Sequence, residues 1–243
     1  MGRKGPTRHM KRQQAPTFWT IHRKEKVWSI NTSPGPHNFG TSIPITIILR
    51  DMLSTASTRR EATQIAKQGK IKIDGKPRLD DKFPVGLMDV ISIPDAGENY
   101  RILPAKGGRL TLHPIKGDEI GFKLCRIVGK STLTVDTIQL RLHDGRALNV
   151  PAGTPYKVND VLKIKIPSQE IVEHIVFKDQ LPIVITGGRS QGETGIIIGF
   201  GDEPGWKKTA TVRTPKGEDI RTLTKYVFPV GTSQPLISLP ESQ

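Results

Sequence analysis

Residues 57–93 read STRREATQIAKQGKIKIDGKPRLDDKFPVGLMDVISI, and this run decides the fold. Thr58-Arg59-Arg60-Glu61 is a capping box. The Thr58 hydroxyl can accept the Glu61 amide, while the Glu61 carboxylate reaches back over the first turn. Ala62, Ile65 and Ala66 supply one buried face, and Gly69 is a natural left-handed stop. Arg59 and Arg60 then occupy the first turn, where the helix dipole disfavours cations by ~0.3–1 kcal/mol each. Helix stability explains two arginines there poorly. An anion explains them better, because exposed amides and guanidiniums attract it together. Arg60, Gln64 and Lys67 form a polar stripe at i, i+4, i+7. Ile71-Lys72-Ile73 alternates as a strand, Asp74-Gly75 signals a hairpin, and Val85 to Ile93 is expected to return as a further strand. Lys70, Lys72, Lys76 and Arg78 keep this hairpin basic.

Upstream, residues 42–53 predict a first helix, with Ser42 as cap, Pro44 in the first turn, and Ile45, Ile48, Leu49 and Met52 on one face. Residues 1–41 form a basic arm, in which Arg3, Lys4, Arg8, Lys11, Arg12, Arg23, Lys24 and Lys26 face a single acid, Glu25. Pro6, Pro16, Pro34 and Pro36 break any long helix. The arm is expected to order only against RNA, with Phe18, Trp19 and Trp28 as anchors, since a ring can stack on a base while neighbouring cations meet phosphates.

Downstream, residues 101–176 predict short strands. Ile138, Leu140 and Leu142 alternate with polar residues, Asp144-Gly145 turns the chain, Leu148 and Val150 return, and Val161 to Ile166 alternates again. This spacing favours a small barrel or curled sheet, with Lys116, Lys123, Arg126, Lys130, Lys163 and Lys165 on its solvated face. From Lys178, LPIVITGGRSQGETGIIIGF (181–200) places strands at 183–186 and 196–200 around a glycine-rich turn. Gly188, Gly192 and Gly195 resemble the glycine spacing of the KOW motif, which implies a small SH3-like barrel. Glycine there would allow the positive φ of a tight loop. Arg189, Lys207, Lys208 and Arg213 are candidate phosphate contacts, and Trp206 is expected to pack the barrel.

The 57–93 unit resembles the RNA-binding module first described in ribosomal protein S-four. Its flanks SPGPH (33–37), PVGLMDV (84–90) and KYVFPVG (225–231) together resemble the archaeal and eukaryotic "e" type of that small-subunit protein, in order and nearly end to end. The resemblance implies a mostly β chain with a small α+β module. Its expected units are the arm at 1–41, the S-four-like module at 42–104, a central barrel-like β domain at 105–176, and a KOW or SH3-like barrel with a tail at 177–243. It implies a structural constituent of the ribosome in the cytoplasm, bound to small-subunit RNA and neighbouring ribosomal proteins. The expected RNA-binding residues are Arg3, Lys4, Arg8, Lys11, Arg12, Trp19, Arg23, Lys24, Arg59, Arg60, Lys67, Lys70, Lys72, Lys76, Arg78, Arg189, Lys207 and Lys208.

Composition agrees. The chain has 243 residues and a net charge of +14, from 37 Lys and Arg against 23 Asp and Glu. Such a field favours polyanions, because each cation near a phosphate displaces condensed counterions. Binding to acidic lipid would need a basic amphipathic helix with bulky apolar residues, and none is present. Nor is there a membrane-length apolar run or an h-region after Met1. Cys125 is the only cysteine, and the six histidines show no ligand spacing. Gly129-Lys130-Ser131 ends like a phosphate loop, but Leu124 stands where its first glycine must be. Asp89, Asp118, Glu119, Asp136, Asp144 and Asp160 show no paired spacing. No catalysis, cofactor, metal, membrane or small-molecule substrate is therefore expected. The alternative is an RNA-modifying enzyme carrying an S-four-like module, but only about 75 residues between the two modules remain for a catalytic domain. A KOW-bearing transcription factor would lack the arm.

Overall fold

The computed structural model describes residues 9–203 and 207–240, so Arg3, Lys4, Arg8 and Trp206 lie outside the described residues. Among the described residues the fold is mostly β, with two α-helices, short 3-10 and π-helical turns, and several antiparallel sheets.

Residues 9–41 of the arm are folded onto the protein. A two-stranded ribbon joins β1 (Met10–Lys11) to β2 (Trp28–Ser29). Met10, Ala15, Trp19 and Ile30 enter the same core as the isoleucines that follow residue 42. Trp19 is 3% exposed, and its indole N–H donates to the Ser42 carbonyl at 2.8 Å. Burying side chains the size of Met10 and Ile30 stabilises the arm by roughly 1.5–3 kcal/mol apiece. The expectation that the arm orders only on RNA is thereby corrected for residues 9–41, the part of the arm among the described residues.

The next unit opens with β3 (Ile43–Pro44), α1 (Ile45–Ile47) and a π-helical turn over Ile48–Met52. Ser42 does not cap this helix. Its hydroxyl donates to the Asn38 carbonyl, and Ile43 and Pro44 pair with Val85 and Pro84 instead. Then follow α2 (Arg59–Lys67), β4 (Lys72–Ile73), β5 (Lys76–Pro77), β6 (Pro84–Val85), β7 (Val90–Ile93), β8 (Glu98–Ala105) and β9 (Arg109–Pro114). The sheet runs β5-β4-β7-β8-β9, so the β8–β9 ribbon carries this sheet past residue 104. Residues 85–93 are not one strand. Between β6 and β7 the chain turns, with Met88 at φ 66° and the Asp89 amide donating to the Gly86 carbonyl.

A second five-stranded sheet contains β10 (Phe122–Thr134), β11 (Thr137–Leu142), β12 (Ala147–Pro151), β13 (Val161–Lys165) and β14 (Ile171–Ile175). The first part of β10, residues 122–126, pairs with β13, and residues 127–134 pair with β11. The sheet therefore curls around its longest strand as a half-barrel. A third sheet, in the order β18-β17-β16-β15-β19, contains β15 (Pro182–Ile185), β16 (Thr194–Glu203), β17 (Lys207–Arg213), β18 (Asp219–Leu223) and β19 (Val227–Pro229). Its core takes in Leu124 and Val161 from the second sheet, while Cys125, Ile127 and Leu162 face a separate core. The first part of β10 is thus buried on both faces.

Candidate nucleic-acid interface

The start of α2 is built as the capping box requires. Thr58 Oγ1 accepts the Glu61 amide at 3.3 Å and donates to the Glu61 carboxylate at 3.0 Å, which also accepts the Ser57 amide at 2.8 Å. Those hydrogen bonds, from Ser57 first and then Thr58, hold the Glu61 carboxyl below its ordinary range. Gly69, at φ 71°, ends the helix. Arg59, Arg60, Thr63, Gln64, Lys67 and Gln68 line one open groove. Arg59 also meets Asp81 at 3.4 Å, yet its side chain stays 54% exposed.

Lys11, Lys24, Lys70, Lys72, Lys76, Arg189 and Lys208 are exposed. Lys70 pairs with Asp95 at 3.0 Å. Lys207 begins β17, and its side chain lies outside the described residues. Arg78 is half-buried with its guanidinium 4.4 Å from the Phe83 ring centre. Arg23 donates to the Gln13 and Pro16 carbonyls at 2.9 Å each, which folds the arm on itself. Two residues need correction. Trp19 is buried and its ring packs on Phe39, so it presents no face to a base. Arg12 is 4% exposed and pairs with Glu25 at 3.5 Å, which leaves it no route to a phosphate. Of the three expected anchors, Phe18 is half-buried and Trp28 stays outside, 58% exposed.

No spacing in the sequence announces the buried ionic cluster that joins three parts of the chain. Lys123, expected on a solvated face, is buried because β10 lies between two cores. Its ammonium meets Asp74 and Asp144 at 3.0 Å each and also contacts Asp89. Arg146 bridges Asp74 and Asp144, and His37 of the arm lies 3.0 Å from Asp89. Asp74 sits in the β4–β5 turn at φ 51° and accepts the Val90 amide, and Asp89 accepts the Gly86 amide. A Cβ on Gly86 would land 2.4 Å from the His37 ring, so only glycine lets the arm lie there.

Burial would raise the Asp89 and Asp144 carboxyls, but Lys123 reverses this. It is helped by His37 at Asp89, and by His143 and Arg146 at Asp144. Both are held below the usual carboxylate range, Asp144 at about 2. Burial and the Asp89 charge push Asp74 upward. Burial would lower Lys123, but Asp89 and Asp74 outweigh it and raise the ammonium well above its ordinary value.

Among the described residues, the donors of Cys125, His143 and Asp144 come together as a metal site could. All three are already committed. His143 Nδ1 accepts the Arg126 amide and Nε2 faces the Leu87 carbonyl, while burial takes its pKa down to about 3. Burial pushes the Cys125 thiol up, and Asp144 belongs to Lys123 and Arg146. A metal would have to break these bonds.

Three family models match the chain in succession: an RS4NT domain over residues 4–39, an S4 domain over 52–91, and ribosomal family S4e over 96–171. The small ribosomal subunit protein eS4 of Methanothermobacter thermautotrophicus is 47% identical over 96% of both chains. That of Desulfurococcus amylolyticus is 40% identical over 99% of both. A solved structure, the 30S ribosomal protein S4e from Thermoplasma acidophilum, superposes with a TM-score of 0.68 at 33% identity, covering 79% of this chain and 96% of that one. Near-complete coverage at such identity, with the module order intact, leaves one conclusion: the chain belongs to ribosomal family S4e.

Proposed function

We propose that this protein is a structural constituent of the small ribosomal subunit in the cytoplasm, where it binds ribosomal RNA and catalyses nothing. Membership of the S4e family, end to end, is the observation that carries this reading. The groove at the start of α2 supplies a physical means. Arg59, Arg60 and Lys67 present three cations on one face, and phosphate contacts of this kind position a protein on RNA without reading its sequence. Exposed Lys70, Lys72 and Lys76 add further cations on the β4–β5 hairpin, and Arg189 and Lys208 add others on a KOW-type, SH3-like barrel. The ionic cluster around Lys123 holds the arm, the S4 module and the central sheet in one arrangement, so the RNA surfaces are preorganised for subunit assembly. Neighbouring ribosomal proteins are the second class of partner. The exposed Ile196 and Ile198 on β16 offer them an apolar face. Sedimentation tests the reading. The chain should co-migrate stoichiometrically with small subunits through a moderate salt wash, and recovery in the soluble fraction alone would refute it.

A further inference from the structure

Trp28 is more exposed than Phe18, Trp19 or Phe39 of the arm, and its surroundings are unlike those of a surface ring left over from folding. It sits on β2 with Lys11 as its cross-strand neighbour, and the His9 ring meets it edge-on at 6.0 Å. In front of this ribbon is a cavity of about 370 Å³, walled by His9, Trp28 and Asn31 from the arm, Arg59 from the start of α2, and Lys82. A cavity of that size falls at the small end of those that hold small ligands. Its chemistry is specific. An indole and a carboxamide side chain, Trp28 and Asn31, line it together with two cations, Arg59 and Lys82. Asp81 engages only the Arg59 Nε, so the terminal guanidinium nitrogens remain available.

Resting on the ribosomal reading above, we infer that this cavity captures a single unpaired nucleotide of small-subunit RNA. The base stacks on Trp28, and its phosphate lies between Arg59 and Lys82. Stacking on an indole suits any base, because every base has a π face, and a flanking pair of cations suits the phosphate that comes with it. The same cations disfavour a basic or purely apolar protein segment in that position. The arm and the S4 module thus form one binding surface, with the arm supplying the ring and the module the charge.

The test uses the full-length chain and a small-subunit RNA transcript at fixed salt. Trp28→Ala should weaken binding roughly 5- to 150-fold. Trp28→Phe should recover most of the affinity, and Trp28→Leu, which keeps apolar bulk without a π face, should not. None of the three should change the salt dependence, whereas Lys82→Gln should reduce its slope by about one. Melting curves of each variant close to wild type confirm the fold. Wild-type affinity in a folded Trp28→Ala chain would overturn the site alone. Failure of the unmodified chain to bind the transcript would overturn the ribosomal reading beneath it. A Trp28→Ala chain that binds naked RNA normally but is lost from reconstituted subunits would assign the ring to a protein neighbour, and would also overturn the proposal.

Discussion

Lys123→Met asks how much of the architecture depends on one buried ammonium. Methionine keeps the length and most of the volume of lysine, so the packing of β10 is nearly preserved and the charge alone is removed. Lys123 is 1% exposed and stands against three carboxylates that are themselves almost fully buried. Arg146 continues to serve Asp74 and Asp144, but Asp89 keeps only His37 and the Gly86 amide. Removing one partner of a buried pair costs about 3–5 kcal/mol, because the partner left behind is an uncompensated charge. For a chain of this size that corresponds to a fall in Tm of about 6–20 °C. The pH dependence carries a sign. In the wild type, Asp89 and Asp144 titrate below their unfolded range, so their contribution is present above about pH 4 and is lost as pH falls toward 2. Lys123 titrates above its ordinary value, so its contribution is lost only in strong alkali. In the variant, crowded carboxylates favour protonation in the folded state, and the deficit should shrink as pH is lowered from 7 to 5. Urea unfolding followed by circular dichroism at several pH values measures both quantities. A deficit below about 1 kcal/mol at pH 7, or one that does not change with pH, would refute the reasoning.

Replacing Arg59 and Arg60 together with Gln should leave stability within about 1 kcal/mol, since a half-exposed pair with Asp81 is lost while the dipole penalty is relieved. RNA affinity should fall and its salt slope flatten by about two, and a filter-binding titration that shows neither change would place the RNA elsewhere. Gly192→Ala should be more damaging than Gly217→Ala. Both glycines have φ near 86°, at 87° and 85°, but a Cβ at 192 would lie 2.6 Å from the backbone of Ala105 while one at 217 meets nothing. The control should lose about 1–3 kcal/mol from backbone strain alone, and equal losses in thermal melts would show that the loop does not rest on the β8–β9 ribbon.

The sequence by itself determined the features whose partners lie within a few residues. The Thr58–Glu61 cap, the Gly69 stop, the Asp74-Gly75 turn and the pairing of residues 138–142 with 146–150 are all set by local geometry, and each is found. Charge and motif order were legible for the same reason, and pointed to RNA. Tertiary structure decided what depends on long-range company. The segment Phe122 to Ile127 alternates like a half-solvated strand, and only the second core packed on it makes Lys123 a buried ion. Its carboxylate partners come from 21 to 49 residues away, so no spacing announces them. Trp19 and Trp28 lie nine positions apart in equally basic sequence, yet one enters the core beside Ser42 and the other faces the cavity at Arg59. A tryptophan carries enough apolar surface to be worth burying and a face flat enough to stack on a base, so its identity fits both roles. What settles the matter is which part of the folded arm meets the rest of the protein: Trp19, in the connection between β1 and β2, packs inward, and Trp28, on β2, does not.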